Sequence, residues 1–281
     1  MSYRYETHLH TREASACARS CGSQYIAVYK HLGYSGICVT DHFFNGNTAI
    51  DQTLGWEEQV NGFCLGYERA KAEGDRQGLS VFFGWEHAFQ GDEYLIYGLD
   101  KKWLLDHREM MEWDQHTLFE QIDRAGGLMI QAHPFRERPY IKEVNLHPYS
   151  CHGSEVINGQ NTMACNLRSE AYANTFALSP TCGGDIHTIE EASTISQAML
   201  FDEPLTTIHD FVDAVKAQRG YRLGAALPPI CDIGSPSVPV YLHDRYQRKY
   251  PILCDVLAIF IDVQCLRAIS SHLVSREGVR V

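Results

Sequence analysis

Short apolar runs separated by amphipathic stretches dominate the first four-fifths of this sequence, and several of the runs close on a histidine or a carboxylate. Segments 36–40, 80–84, 94–98, 127–131, 154–157 and 198–201 are too short for helices and are bounded by Gly, Pro or Asp, which is the pattern of buried strands. Between them, 24–32, 57–76, 114–125, 162–176 and 206–218 have the apolar spacing of helices. Strand and helix in turn imply an α/β fold, with a mainly parallel sheet covered by helices as a layered sandwich or a barrel. No repeat of fixed period is present.

The alternation stops near Gly224. Residues 225–239 are rich in Pro, Gly and Ser and read as a linker or irregular loop, while 250–274 is apolar enough for one or two helices. Two units are therefore expected, a domain over 1–224 and a C-terminal linker with an apolar tail over 225–281, which a packing or oligomerisation role would explain. No apolar run reaches the roughly 20 residues of a spanning helix. The opening, Met1 to Thr11, lacks the apolar segment of a signal peptide, so a cytoplasmic protein is expected. The formal charge of −11 disfavours a general nucleic-acid or membrane-surface binder, but not a small anion held by local cations. The ten cysteines include no Cys-x-x-Cys pair, and several lie inside apolar segments, which reads as reduced, buried thiols.

Histidine, at 14 residues, is the informative type. His8 and His10 are two apart, so in extended backbone both face one side and can grip one ion. Asp41-His42 closes the run from Gly36, Glu86-His87 the run from Ser80, and His133-Pro134 the run from Gly127; Asp185 and His187 repeat the two-residue spacing. Each motif alone is a weak signal. Together they place five polar clusters at the carboxyl ends of strands, where α/β folds gather their active sites. Imidazole and carboxylate without thiolate suit Zn, Mn or Fe. Asp41 reads as an orienter of an imidazole or a proton carrier, and His87, next to Glu86, as a residue of the opposite strand face. Arg136 and Arg138 follow His133-Pro134 and are candidates to capture phosphate oxygens with a planar fork.

Taken in order, His8-x-His10, Thr40-Asp41-His42, Glu86, His133-Pro134 and Gly184-Asp185-x-His187 resemble the polymerase and histidinol phosphatase (PHP) family over roughly residues 3–224. The resemblance implies a distorted (β/α)7 barrel with a two- or three-metal centre, in a family of phosphoesterases and polymerase-associated nucleases. Carried over by position, His8, His10, Glu86 and Asp185 correspond to a first metal site, Glu86 bridges to an ion held by His133, and His42 and His187 belong to a third. Two departures stand out. Many members carry a histidine three residues before a glycine on the strand after the glutamate, and here that position is Leu95. Members also place an acidic or histidine ligand soon after His-x-His-Thr, where this chain reads Arg12-Glu13-Ala14-Ser15, leaving Glu13 as the candidate. Glu155 is a further candidate ligand or a support for one.

The expected function is a metal-dependent phosphoesterase acting on a small phosphorylated substrate. Two or three divalent ions (Zn, Mn or Fe) activate water, Asp41 or His187 moves the proton to the leaving oxygen, and Arg136 grips phosphate. A nuclease or nucleotide-processing module is the alternative, disfavoured by the missing basic stripe. An amidohydrolase-like C–N hydrolase is a minor one, since no lysine stands among the strand-end motifs.

Overall fold

In the computed structural model, residues 2–89, 91–225 and 236–252 are described. The chain runs β1 (Tyr3–Glu6), α1 (Gly22–His31), β2 (Gly36–Val39), α2 (Trp56–Gln77), β3 (Ser80–Phe89), β4 (Asp92–Tyr97), α3 (Lys101–Asp106), α4 (Gln115–Arg124) and β5 (Leu128–Ala132). It continues through β6 (Val144–Leu146), β7 (Gly153–Asn158), α5 (Met163–Phe176), β8 (Ser179–Gly183), α6 (Ile189–Thr194), β9 (Met199–Phe201), α7 (Ile208–Lys216), β10 (Tyr221–Leu223), β11 (Val240–His243) and β12 (Lys249–Pro251).

Nine strands form one sheet in the order β10-β9-β1-β2-β3-β4-β5-β7-β8, curled into a nearly closed barrel. Its two ends meet where Tyr221 Oη of β10 donates to the Pro180 carbonyl of β8 (3.1 Å), and Thr7 Oγ1, just past β1, donates to the Cys182 carbonyl of β8 (2.8 Å). The expected parallel pairing holds for β1–β2–β3 and β5–β7–β8. It fails for β4, which runs antiparallel between β3 and β5, and for β9 and β10. The short turn around Gly91 explains β4: with no helix to cross over, the chain can only fold back as a hairpin.

Alternation along the strands sorts side chains between two cores. In β2, Cys38 faces the larger core with Phe82 and Trp85, whereas Ile37 and Val39 face Tyr25, Ile26 and Tyr29 of α1. All four β2 residues are buried, as expected for a strand covered on both faces. Helix ends follow local chemistry. Asp114 caps α4 by accepting from Thr117 N (2.7 Å), and Gly78, at φ 75°, ends α2 in the left-handed region that an L side chain resists.

Residues 236–252 do not trail away from the barrel. β11 pairs in parallel with β6 and antiparallel with β12, forming a separate three-stranded sheet. The rest of the expected tail, including the apolar stretch 253–274, lies outside the described residues. The seven described cysteines are all free. No helix among the described residues is long and apolar enough to cross a membrane.

Candidate metal centre

The first and last motifs are joined through their backbones. His10 N donates to the Ile186 carbonyl (2.8 Å) and Ile186 N to the His8 carbonyl (3.1 Å), a parallel bridge that sets His8 and His10 beside Asp185 and His187. Glu6 braces the same junction, accepting from Thr7 N, His8 N and Gly184 N at 2.7–2.9 Å. A Cβ at Gly184 would meet Glu6 Oε2 at 2.6 Å, so glycine is needed where the two strands converge on this carboxylate. Burial pushes the Glu6 carboxyl up to about 7 despite those donors.

Glu86 is the centre of the cluster. His133 Nε2 lies 3.1 Å from Oε1, His8 Nε2 3.4 Å from Oε1, His42 Nδ1 2.8 Å from Oε2 and His10 Nε2 3.6 Å from Oε2. Glu86 does not close its strand as the sequence suggests; β3 runs on to Phe89, and the parallel bridge from His42 to Glu86 marks where the mouth crosses it. Asp185 Oδ1 lies 3.3 Å from His10 Nε2 and 3.6 Å from His8 Nε2. Both His133 (φ 30°) and Asp185 (φ 56°) have left-handed backbones, a cost of order 1–3 kcal/mol each that marks positions held for their side chains.

Four groups of potential ligand atoms, each within 4.8 Å of one another, result: His8, His10 and Asp185; His8, Glu86 and His133; His42, Glu86 and Glu93; His10, His42 and His187. His8 Nε2, His10 Nε2, His42 Nδ1 and Glu86 Oε2 are buried without an aligned hydrogen bond. Polar atoms so placed cost about 1–3 kcal/mol each when unpaired, and more if charged. Imidazole nitrogens and carboxylate oxygens converging on shared points are the donor set of a Zn, Mn or Fe site, so these residues fit divalent ions.

The electrostatics agree. Burial alone would raise Glu86, yet the His42 and His8 charges hold it well below its usual range. Burial likewise opposes ionised Asp185, and Arg136 and His8 overcome it. His8 is held well above its usual value, burial being outweighed by Glu155, Asp185 and Glu86. His10 goes the other way, pulled down by burial and by His42 and His187.

Not every expected residue joins the cluster. Glu13 is turned away, accepting from Arg69 Nη1 (3.0 Å) and Gly22 N (3.2 Å), because the start of α1 and a guanidinium lie closer to it than the histidines do. Glu155 is a support and not a member of any ligand group: Oε1 meets His8 Nδ1 at 2.9 Å, while Oε2 accepts from His133 N (3.1 Å) and Asn158 Nδ2 (2.9 Å). Asp41 is buried and held by the loop that follows His10. Its oxygens accept from Thr11 N (2.5 Å), Thr11 Oγ1 (2.7 Å) and Ser15 Oγ (2.6 Å), and Ser15 in turn touches His10 Nδ1 (3.3 Å). Burial raises its carboxyl to about 6, against those hydrogen bonds. Arg136 lines the cavity above the cluster without being a solvated surface residue: it pairs with Asp185 and donates to Asn158 Oδ1 (3.0 Å) and Asn161 Oδ1 (3.2 Å). His87 points away, packs on Phe43 and meets Asn45 Nδ2 at 2.7 Å.

Glu93 is the residue that sequence reasoning missed. It stands 3.7 Å from His42 Nδ1 and 3.6 Å from His133 Nε2, two residues before the Leu95 position. Because β4 is antiparallel, its amino end is the one at the mouth, and a rule that searches carboxyl ends passes over it. Above the cluster opens a cavity of about 720 Å³ lined by Cys17, Arg19, Glu93, Arg138, Tyr140 and His187 among others.

No protein-family model matches the sequence, and no curated protein matches it. Solved structures do. The chain is similar to a two-domain protein from Bacteroides vulgatus containing a predicted PHP-like metal-dependent phosphoesterase, with a TM-score of 0.51 and 13% identity over 79% of this chain and 64% of that one. The fold is that of a PHP-type barrel. A lesion-specific endonuclease, EndoQ, from Pyrococcus furiosus is similar with a TM-score of 0.52 and 10% identity, over 79% of this chain and 58% of the endonuclease. The PHP-type barrel described here thus spans less than two-thirds of either protein's length.

Proposed function

We propose that this chain is a PHP-family metal-dependent hydrolase that cleaves a small phosphate ester. The observation that carries the reading is the convergence of His8, His10, His42, Glu86, Glu93, His133, Asp185 and His187 beneath an open cavity, with buried nitrogens and an oxygen left unpaired. Those residues would hold two or three divalent ions, and Glu86, with imidazoles on both sides of its carboxylate and common to two of the groups, would be the ligand they share. Such ions supply the acidity that makes water a nucleophile near neutral pH and the positive charge that steadies a phosphoryl group in flight. Glu155 and Ser15 fix the far nitrogens of His8 and His10, so that both rings present Nε2 inward. His187, 20% exposed and lining the cavity, has Nδ1 against the Asp185 carbonyl, so its other nitrogen would serve as an ion's ligand in a three-ion centre or, in a two-ion centre, would pass a proton to a departing oxygen. Arg19 and Arg138 at the cavity wall supply the local positive charge for an anionic substrate on a chain that is otherwise acidic.

The test is release of inorganic phosphate from a chromogenic monoester with Mn²⁺ or Zn²⁺, set against His8→Ala and alongside an amide and an oligonucleotide. Phosphate release that depends on metal and on His8 supports the reading. Equal rates in parent and variant, or cleavage of the amide alone, would overturn it.

A further inference from the structure

One wall of the cavity is the loop 133–143 between β5 and β6, which forms turns but no helix or strand. Arg136, Arg138 and the 70% exposed Tyr140 line the cavity from this loop. Arg138 donates to neutral acceptors, the Glu137 and Gln160 carbonyls (both 3.1 Å), which leaves its charge uncancelled at the cavity. Glu137, between the two arginines, meets other partners. Its Oε1 accepts from Arg168 Nη1 of α5 (2.8 Å) and from Ser237 N (3.3 Å), and its Oε2 from Ser237 Oγ (3.0 Å). Arg168 is 4% exposed, so this carboxylate joins a buried cation of the barrel to the C-terminal segment. The same segment holds the end of the loop. Val144 N donates to the Pro239 carbonyl (2.9 Å), β11 pairs with β6, and Lys249 pairs with Glu143. Beside Glu137, Pro139, Ile141 and Lys142 face Ser237 and Val238 across a crevice of about 420 Å³. Continuous packing therefore does not join the middle of the loop to the segment, and the bonds of Glu137 carry that part of the hold.

We propose that Glu137 is a positioning residue through which residues 236–252 hold Arg138 and Tyr140 in the cavity wall. The C-terminal segment then contributes to substrate affinity without touching substrate. The proposal rests on the phosphoesterase reading above and adds to it a determinant of binding that lies outside the barrel. A guanidinium grips an anion best when its planar fork is already aimed, because less freedom is lost on binding. Loosening the loop should therefore weaken substrate in ground and transition state alike, raising KM while kcat and metal content stay close to the parent's.

Kinetics of the full chain on p-nitrophenyl phosphate, with amide hydrogen exchange over 137–142, test this. Ser237→Ala removes one bond to Glu137 and leaves the Arg168 pair intact, so the fold is not at risk. It should raise KM about 2- to 5-fold and speed exchange of the Ile141 amide, which bonds the Arg138 carbonyl. Glu137→Gln, which loses the charge facing Arg168, should raise KM about 5- to 20-fold, again with kcat nearly kept. In an Arg138→Ala background Ser237→Ala should add little, because the residue it acts through is gone. Unchanged KM in both single variants, or a fall in kcat and metal content in place of a rise in KM, overturns the positioning role. So does a Ser237→Ala effect that persists in full without Arg138. Absence of phosphate release by the parent defeats the phosphoesterase reading and the affinity claim with it, while unchanged exchange in Ser237→Ala defeats the hold alone.

Discussion

Among the described residues, histidine rings stack in two places, and the two places behave differently. At the barrel mouth, His10 stacks on His42 and His187 with ring centroids 4.4 and 4.5 Å apart. Where β11 joins β6, His147 stacks on His243 at 3.9 Å. Around the first set lie Glu86, Glu93 and Asp185, each near two or more imidazoles. The second set has one carboxylate, Asp92, 3.5 Å from His147, and the Asn145 amide oxygen 3.2 Å from His243. Among the described residues, all groups of three or more ligand atoms within 4.8 Å fall at the mouth. Stacked imidazoles alone therefore do not make a metal site. Several strands must deliver carboxylates to the same point, and the mouth of a barrel does this where the edge of a three-stranded sheet does not.

Removing the shared carboxylate breaks that contrast most completely. Glu86→Gln keeps the volume but takes away the charge around which four imidazoles are arranged. Loss of at least one metal equivalent and of more than about 99% of hydrolytic activity is expected, with the fold retained. Elemental analysis checks the first and circular dichroism the last; unchanged stoichiometry would remove Glu86 from the bridge.

Glu155→Gln should have a smaller effect of the same kind. It weakens the hold on His8 Nδ1 and on the His133 backbone without deleting any member of the ligand groups. Metal affinity is expected to fall about 10- to 100-fold, as for other groups that orient a ligating imidazole. Competition with a chelator measures it. A loss as complete as that of Glu86→Gln would mean that Glu155 is itself a ligand.

These two residues also show what the sequence made legible. Motifs after the apolar runs were readable because an exposed strand end has little other reason to carry His, Asp or Glu, and the structure brings His8, His10, His42, Glu86, His133, Asp185 and His187 together. Glu93 was not readable, since its visibility depends on β4 running antiparallel, a consequence of the hairpin at Gly91. Glu6 was hidden because its partners are backbone amides contributed partly from 178 residues away. The partners of Arg136 and Asp41 were not readable for a related reason: residue type shows what a side chain can bind, but not which neighbour reaches it first.

Gly66→Ala probes the support beneath the mouth. A Cβ there would overlap Thr11 Oγ1 and press on Asp41 Oδ2, the pair that anchors the loop carrying Ser15 and Cys17. Overpacking of this kind costs about 1–3 kcal/mol. Thermal unfolding should shift downward and metal affinity fall modestly, because Ser15 no longer holds His10 Nδ1 as firmly. Unchanged stability would show that α2 can slide to make room.

The smallest effect belongs to the second histidine pair, and it concerns pH. His243 is pulled down to about 4, first by burial, then by the neighbouring His147 and Lys249 charges, with Glu143 opposing them. Its unfolded value is about 6.5, so between those limits the folded hairpin binds fewer protons than the open one. The stabilisation is therefore complete above about pH 6.5 and is lost as pH falls towards 4. Because the ring is part-exposed, water screens much of the interaction and the change is small and local. Amide hydrogen exchange, corrected for its intrinsic pH dependence, should show weaker protection of Asp244 and Ile252 at pH 5 than at pH 7, since those amides close the β11–β12 region on the Arg248 and Val240 carbonyls. In His243→Phe the stacking surface remains but nothing titrates at that position, so the difference between the two pH values should shrink. An equal pH response in parent and variant would move the effect from His243 to another group of this region, such as Asp92, whose carboxyl burial raises.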